Sequence, residues 1–362
     1  MPSTKAPPRE TDASAGASAA GAQVFLPTPL PWLAASLQTL VTQYTGHALL
    51  LHGAVGDGAH ELALRLGQAW LCENTEPGRP KPCLRCASCH LYGQAAHPDQ
   101  HWLLPEEMAL ARGMPVDIKP GRKPSRQIRV EEVRAFIDGL STTTGRGQGK
   151  ALVILPAEAM NGVAASALLK TLEEPPAGTR IVLAVSDPAR LLPTIRSRCQ
   201  HFRLPPPATD VALRWLGEQG VPRAETLLRA CAGHPLDALG LHAAGVSAER
   251  WLALPQRLAD GDVSAVAGWS PANALDALGK LCHDAMAAAV GGPLAFFDGA
   301  PMPSGLDLMR LSQWHRSLQG FARHADHPWN EPLLAAALAR EAQDALRPPT
   351  RAAASTSTSA GR

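Results

Sequence analysis

The hydrophobic pattern changes its rhythm near residue 205. From about residue 22 to Leu204, short apolar runs alternate with stretches of helical period. Ala48–His52 (ALLLH), Ala151–Leu155 (ALVIL) and Ile181–Val185 (IVLAV) are continuous apolar runs of strand length. Such runs fit strands buried on both faces. His101–Leu104 and Gln200–Leu204 are shorter strand candidates. Between them, Glu61–Leu71 and Val130–Leu140 carry apolar residues at helical spacing. Val163–Glu174 reads as a helix stopped by Pro175 and Pro176, which lack an amide proton and disfavour helix before them. Strands separated by helices predict a doubly wound, mainly parallel sheet covered on both faces.

Pro205–Thr209 (PPPAT) breaks this rhythm. Asp210–Ala243 then reads as short helices. From about Gly245 to Arg347 only helical patterns remain: Trp251–Leu258, Ala272–Val290, Leu306–Ala325 and Pro332–Leu346. The expected organisation is an α/β domain over 22–207, a small helical domain over 208–244 and an all-helical domain over 245–347. Residues 1–21 and 348–362 are rich in Ala, Ser, Thr and Pro, hold almost nothing large and apolar, and are expected to be disordered tails. No internal repeat is visible.

Composition narrows this picture only a little. The 362 residues are 45% hydrophobic, which supports a sizeable core, and the net charge of +2 gives no field that argues by itself for nucleic acid or membrane. No apolar run approaches the ~20 residues of a membrane-spanning helix, and no signal-peptide layout opens the chain. A cytoplasmic protein is expected.

Gly53-Ala54-Val55-Gly56-Asp57-Gly58-Ala59-His60 follows a strand run and opens a helix, which is the setting of a phosphate-binding loop. Gly53 and Gly58 stand at the two glycine positions of that motif. Ala59 stands where the lysine belongs and His60 where the magnesium-binding hydroxyl belongs. Alanine cannot counter phosphate charge, and a neutral imidazole is a poor ligand for a hard ion that prefers oxygen. After the strand Ala151–Leu155, where an active nucleotidase carries its acidic pair, stand Pro156 and Ala157. Glu158 comes one position late. No ATP is expected in this site.

Seven cysteines are present, and four fall within eighteen residues with the spacing C-x10-C-x2-C-x2-C: Cys72, Cys83, Cys86 and Cys89. In a reducing compartment this favours a metal over disulfides. Four thiolates complete a closed tetrahedral zinc site with a structural role. An iron–sulfur cluster competes, although the next ligand of a ferredoxin run would fall at Gly93. His90 is an alternative ligand. Cys199, Cys231 and Cys282 are scattered and read as small buried hydrophobes.

Thr194-Ile195-Arg196-Ser197-Arg198-Cys199 lies just before the last strand candidate. Arginine suits planar, bidentate phosphate recognition, but by composition alone Arg198 is a surface or capping arginine. A further stretch, 112–134, holds Arg112, Lys119, Arg122, Lys123, Arg126, Arg129 and Arg134, diluted by Asp117, Glu131 and Glu132. It is either a solvated loop or a surface that tracks template phosphates.

Taken together, the Gly53–Gly58 loop, the four cysteines, His97-Pro98-Asp99, the block from Ser166 to Pro176 (SALLKTLEEPP) and Arg196–Cys199 resemble the delta-prime subunits of bacterial DNA polymerase III clamp loaders. The resemblance covers about residues 23–245. It implies an AAA+ (RecA-like) sheet domain with a zinc-binding insertion at 72–89, a helical lid and an all-α collar. It also implies that Gly233-His234-Pro235-Leu236 stands where ATPase relatives place a nucleotide-sensing arginine, with Leu236 at that position. By the same resemblance Arg198 is a trans arginine reaching ATP on a neighbouring gamma/tau subunit, with Arg196 second in rank. The implied partners are gamma/tau, the delta subunit, the sliding clamp and primed DNA, with structural zinc as cofactor, no ATPase activity of the chain's own and no membrane. An active ATPase of this fold would need a lysine at 59 or an acid at 156 or 157. A zinc-containing nucleic-acid-binding protein would leave the SALLKTLEEPP block and Arg196–Cys199 unexplained. An AAA+ adaptor using the same arginine on another assembly is the third alternative.

Overall fold

The computed structural model describes residues 26, 28–76, 78–114, 116–118, 121–140, 143–323 and 329–348. The expected tails, 1–21 and nearly all of 348–362, lie outside them, as does Lys119. Among the described residues a five-stranded sheet is built from β1 (Ala48–His52), β2 (Gln100–Leu103), β3 (Lys150–Ile154), β4 (Thr179–Val185) and β5 (Gln200–Arg203). The order is β2-β3-β4-β1-β5, and every pairing is parallel.

The strands form here because both faces are covered. Leu49 and Leu51 of β1, Ala151 and Val153 of β3 and Val182 and Ala184 of β4 face one core. Ala48 and Leu50, Leu152 and Ile154, and Ile181 and Leu183 face the other. This period of two explains why the runs are apolar throughout. The first face is covered by α1 (Ala34–Gln43) and α2 (Ala59–Trp70), and the second by α5 (Val130–Leu140), α6 (Gly162–Glu173) and α7 (Pro193–Arg196). Two short helices, α3 (Ala87–Gly93) and α4 (Glu106–Ala111), flank β2 in the chain.

Three helices follow, α8 (Thr209–Glu218), α9 (Ala224–Ala230) and α10 (Pro235–Ala243), with a small core of Ala212, Leu216, Leu227 and Ala238. The last four are α11 (Ala248–Ala259), α12 (Pro271–Ala289), α13 (Leu308–Arg323) and α14 (Glu331–Leu346). Their core stacks Trp251 on Phe297 at 4.7 Å. Asp284, fully buried in α12, accepts from the backbone amides of Ala295, Phe296 and Phe297 and so ties the loop after that helix into the core. The expected strands and helices are all present, shifted by three residues or fewer at their ends. The last two residues expected in the helix Leu306–Ala325 lie outside the described residues. Among the described residues, no helix is long and apolar enough to cross a membrane.

Candidate functional site

The loop after β1 leaves the carboxyl edge of the sheet, where open α/β sheets place their ligands. The chain turns through a 3-10 segment, Val55–Asp57, and enters α2 through Gly58 at φ +90°, a conformation that costs glycine nothing. The Asp57 and Gly58 amides donate to the Ala54 and Val55 carbonyls, so they are turned onto the loop itself. All five residues from Gly56 to His60 are buried.

What covers them comes from far along the chain. His234, the cap residue of α10, places its Nδ1 2.8 Å from Asp57 Oδ1. This partner raises the His234 pKa, with burial opposing the shift. A methyl group on Gly56 would lie 2.3 Å from Asp237 Oδ2 and 2.7 Å from His234 Cβ. Trp32 donates from Nε1 to the Asp57 carbonyl at 2.7 Å and meets Trp215 of α8 edge-on, with ring centroids 5.2 Å apart. Leu236 packs against the sheet core. His60 is buried, with its pKa pushed down to about 4 by burial and by the nearby Arg112, so it is neutral at pH 7. Ala59 offers no polar group. The loop therefore keeps the path of a phosphate cradle, but α10 sits against it. Beyond β3, Pro156 and Ala157 lead into a short turn, and Glu158 accepts from the Ser186 amide at 2.9 Å just past β4.

Arg196 and Arg198 occupy the opposite edge. β1 and β5 run parallel with Leu49 beside Gln200 and His52 beside Arg203. Arg198 precedes Gln200, and the loop follows His52. The two features are therefore separated by at least four strand residues, about 13 Å at ~3.3 Å per residue. Arg198 leaves the end of α7 and pairs with Glu173, the last residue of α6, with Nε donating to Oε1 at 2.6 Å and Nη2 to the same oxygen. Nη1 donates to the Thr194 carbonyl at 2.9 Å. The Arg198 side chain is 34% exposed, so it sits at the surface but not loose. Arg196 is half-buried, and its carbonyl lies 3.0 Å from His201 Nε2. Cys199 turns inward, and burial raises its pKa to about 12.

The four cysteines converge. The Sγ atoms of Cys72, Cys83, Cys86 and Cys89 all lie within 4.8 Å of one another. Cys83 and Cys89 are 4.0 Å apart, close to the ~3.8 Å edge of a tetrahedron with 2.3 Å zinc–sulfur bonds. Leu84, at φ +58°, turns the chain between Cys83 and Cys86. Backbone amides support the sulfurs: Cys83 N donates to Cys72 Sγ, and Cys89 N to Cys86 Sγ. Burial raises the Cys72 and Cys89 pKa values. At Cys83 burial is outweighed by hydrogen bonds from Arg85, Cys86 and neighbouring thiols, which bring it down to about 6. The set fits a metal ion that takes four thiolates. His97-Pro98-Asp99 fastens this module: His97 meets Ser88 of α3 at 2.9 Å, and Asp99 accepts from the Gly145 and Arg146 amides.

In the stretch 112–134, Arg112 pairs with Glu61, Arg122 and Arg129 with Glu106, and Arg126 with Glu107. Much of its positive charge is thus balanced locally. The sequence reading missed the contacts that cover the phosphate loop. Trp32, Asp57 and His234 are joined over separations of 25 and 177 residues, and no local period signals such contacts.

Comparison with known proteins bears on the sheet-bearing half. Residues 33–208 match the family described as DNA polymerase III, delta subunit. DNA polymerase III subunit delta' of Pseudomonas aeruginosa is 38% identical over 208 residues, covering 56% of this chain and 58% of that one. The Escherichia coli subunit of the same name is 35% identical over 218 residues, covering 58% and 60%. The chain thus spans a little under two thirds of the length of these relatives. A DNA polymerase III gamma subunit-related protein from Thermotoga maritima aligns over 85% of this chain and 99% of its own, at 17% identity and a TM-score of 0.44. Over residues 33–208, the chain is therefore similar to DNA polymerase III delta-prime subunits.

Proposed function

We propose that this protein is the delta-prime, or stator, subunit of a DNA polymerase III clamp loader. It binds no ATP itself and supplies Arg198 to ATP held by a neighbouring gamma/tau subunit while the sliding clamp is loaded onto primed DNA. The observation that carries this reading is the placement of the two features on one sheet. Residues 56–60 of the phosphate loop are buried under α10 at one edge, and the partly exposed arginine stands at the other, too far away to serve its own loop. An arginine that acts on a phosphoryl group from there must act on a neighbour's. Such an arginine stabilises the charge that develops on the transferred group and contributes ~10³–10⁵ in rate.

In this reading residues 22–207 form the AAA+ (RecA-like) domain, 208–244 the lid and 245–347 the collar through which the subunits join. The loss of the lysine, the acidic pair and the sensing arginine, at Ala59, Pro156–Ala157 and Leu236, then forms one pattern. Cys72, Cys83, Cys86 and Cys89 hold structural zinc, which would pin the insertion between α2 and β2 and leave no open coordination position. Arg196 stays second to Arg198, whose guanidinium is held by Glu173 and the Thr194 carbonyl.

The test is ATP turnover by a complex reconstituted from gamma/tau, delta and this chain, with clamp and primed DNA present. Arg198→Ala is expected to lower turnover by about 10³-fold while gel filtration shows the same assembly. Unchanged turnover in an intact complex would return Arg198 to a surface role.

A further inference from the structure

Glu173 closes α6 inside the SALLKTLEEPP block and lies 25 residues before Arg198 in the chain. The carboxylate meets the guanidinium through one oxygen, Oε1, which accepts from both Nε and Nη2. The Thr194 carbonyl takes one proton of Nη1. A guanidinium has five N–H groups. Three are engaged here, one on each nitrogen. Among the described residues nothing binds the other two, which are one proton on each terminal nitrogen. A phosphate oxygen pair accepts such a fork, one N–H from each terminal nitrogen.

This geometry differs from sequestration. A carboxylate that blocked the arginine would take the terminal fork, whereas Glu173 takes the side edge together with Nε. The contact removes rotamer freedom from a long side chain, which otherwise loses conformational entropy when it is fixed. An arginine already fixed is an arginine whose ordering does not weigh on the transition state. α6 supports the carboxylate from behind. Its N-terminus is capped by Asn161, and His47 at the foot of β1 lies 2.8 Å from the Leu172 carbonyl at its end. Thr194 lies on α7, and both helices pack on the same core through Leu168, Leu172 and Ile195.

We propose that Glu173 is the positioning residue for Arg198: it holds the side edge of the guanidinium so that the terminal fork faces the phosphates of ATP on the neighbouring subunit. This rests on the trans-arginine reading above and names the device that makes that arginine effective. Glu173 touches no nucleotide and acts only through Arg198.

Five forms of the chain decide it, each assembled with gamma/tau and delta and assayed for ATP turnover with clamp and primed DNA: wild type, Glu173→Ala, Glu173→Gln, Arg198→Ala and the double variant Glu173→Ala/Arg198→Ala. The expected result is a fall in kcat of about tenfold for Glu173→Ala, with KM for ATP within twofold and assembly unchanged. Glu173→Gln keeps an accepting oxygen at the same place and is expected to recover most of the lost rate. The double variant Glu173→Ala/Arg198→Ala is expected to match Arg198→Ala alone, because Glu173 has nothing left to position. A merely structural glutamate would change assembly or thermal stability and would lower the rate further in the Arg198→Ala background. If Arg198→Ala lowers turnover but Glu173→Ala leaves kcat unchanged or raises it, the positioning role is overturned while the trans arginine stands. If Arg198→Ala itself has no effect in an intact complex, both fall.

Discussion

The two edges of one sheet carry two phosphate-type features in opposite states. After β1, the loop has the turn and the glycines of a phosphate cradle, but its residues 56–60 are buried and helix α10 lies against them. Before β5, a single arginine stands at the surface with two donor groups unengaged, held by the helix behind it. The first has the backbone without the chemistry, and the second has the chemistry without a ligand of its own. The comparison teaches that the path of a loop and the groups packed on it are separate matters. Here Trp32, Asp57 and His234 tie the small helical domain to the sheet at the loop.

The largest expected effect lies at the arginine edge and would break the comparison if absent. Arg198→Ala in the reconstituted complex is expected to cost about 10³-fold in ATP turnover, whereas Arg196→Ala should cost less than about tenfold, of the order of one lost exposed charged contact. Equal losses, measured by steady-state turnover, would mean that the sheet edge as a whole, rather than one guanidinium, does the work.

At the loop edge the effects are on stability. Gly56→Ala places a methyl group against Asp237 and His234 Cβ. The Asp237 carboxylate is free to swing away, but His234 Cβ is fixed to the start of α10. We expect a loss of about 1–3 kcal/mol in chemical denaturation, with ATP turnover of the assembled complex nearly unchanged. A loop that is open in solution would accept the methyl group at no cost.

His234→Ala should cost about 1 kcal/mol near pH 6, and the cost should depend on pH. Its folded pKa is raised by Asp57 above the ordinary value of 6.5. The contribution is therefore fully present below pH 6.5 and is lost as pH rises through the folded value. Lys280 and Asp237 also act on this group, in opposite directions. Wild type and variant should converge in stability at pH 9. A pH-independent gap would mean that the imidazole packs there without its charge.

The smallest effect sharpens the comparison most. Restoring the motif with Ala59→Lys and His60→Thr should produce no measurable ATP binding by the isolated chain in titration calorimetry. Both positions are buried, and α10 still covers the loop.

The sheet was legible because its central strands are buried on both faces, so ALLLH, ALVIL and IVLAV stand out as uninterrupted apolar runs. The helix α1 was not, because its inward side offers only Ser36 and Leu40 as fully buried residues and its outward side is mixed. The helices α3 and α4 are six or seven residues long, too short for a period to register. The cysteine spacing announced the cluster, since ligands two residues apart converge on one ion. The Glu173–Arg198 pair and the His234–Asp57 contact were not legible. Each joins residues whose nearness is created by the fold, and no spacing rule reaches across 25 or 177 positions. The basic stretch 112–134 looked more cationic in sequence than it is in space, because Glu61, Glu106 and Glu107 come from other segments to balance it.

The most direct test uses ATP carrying a photoreactive group on its γ-phosphate, bound to the reconstituted complex, irradiated, and followed by peptide mapping of this chain. The account predicts label on the segment 194–198 and none on 53–60, with the first signal lost when the neighbouring gamma/tau subunit cannot bind ATP. Label on 53–60 would contradict it, because the buried loop would then be a working nucleotide site.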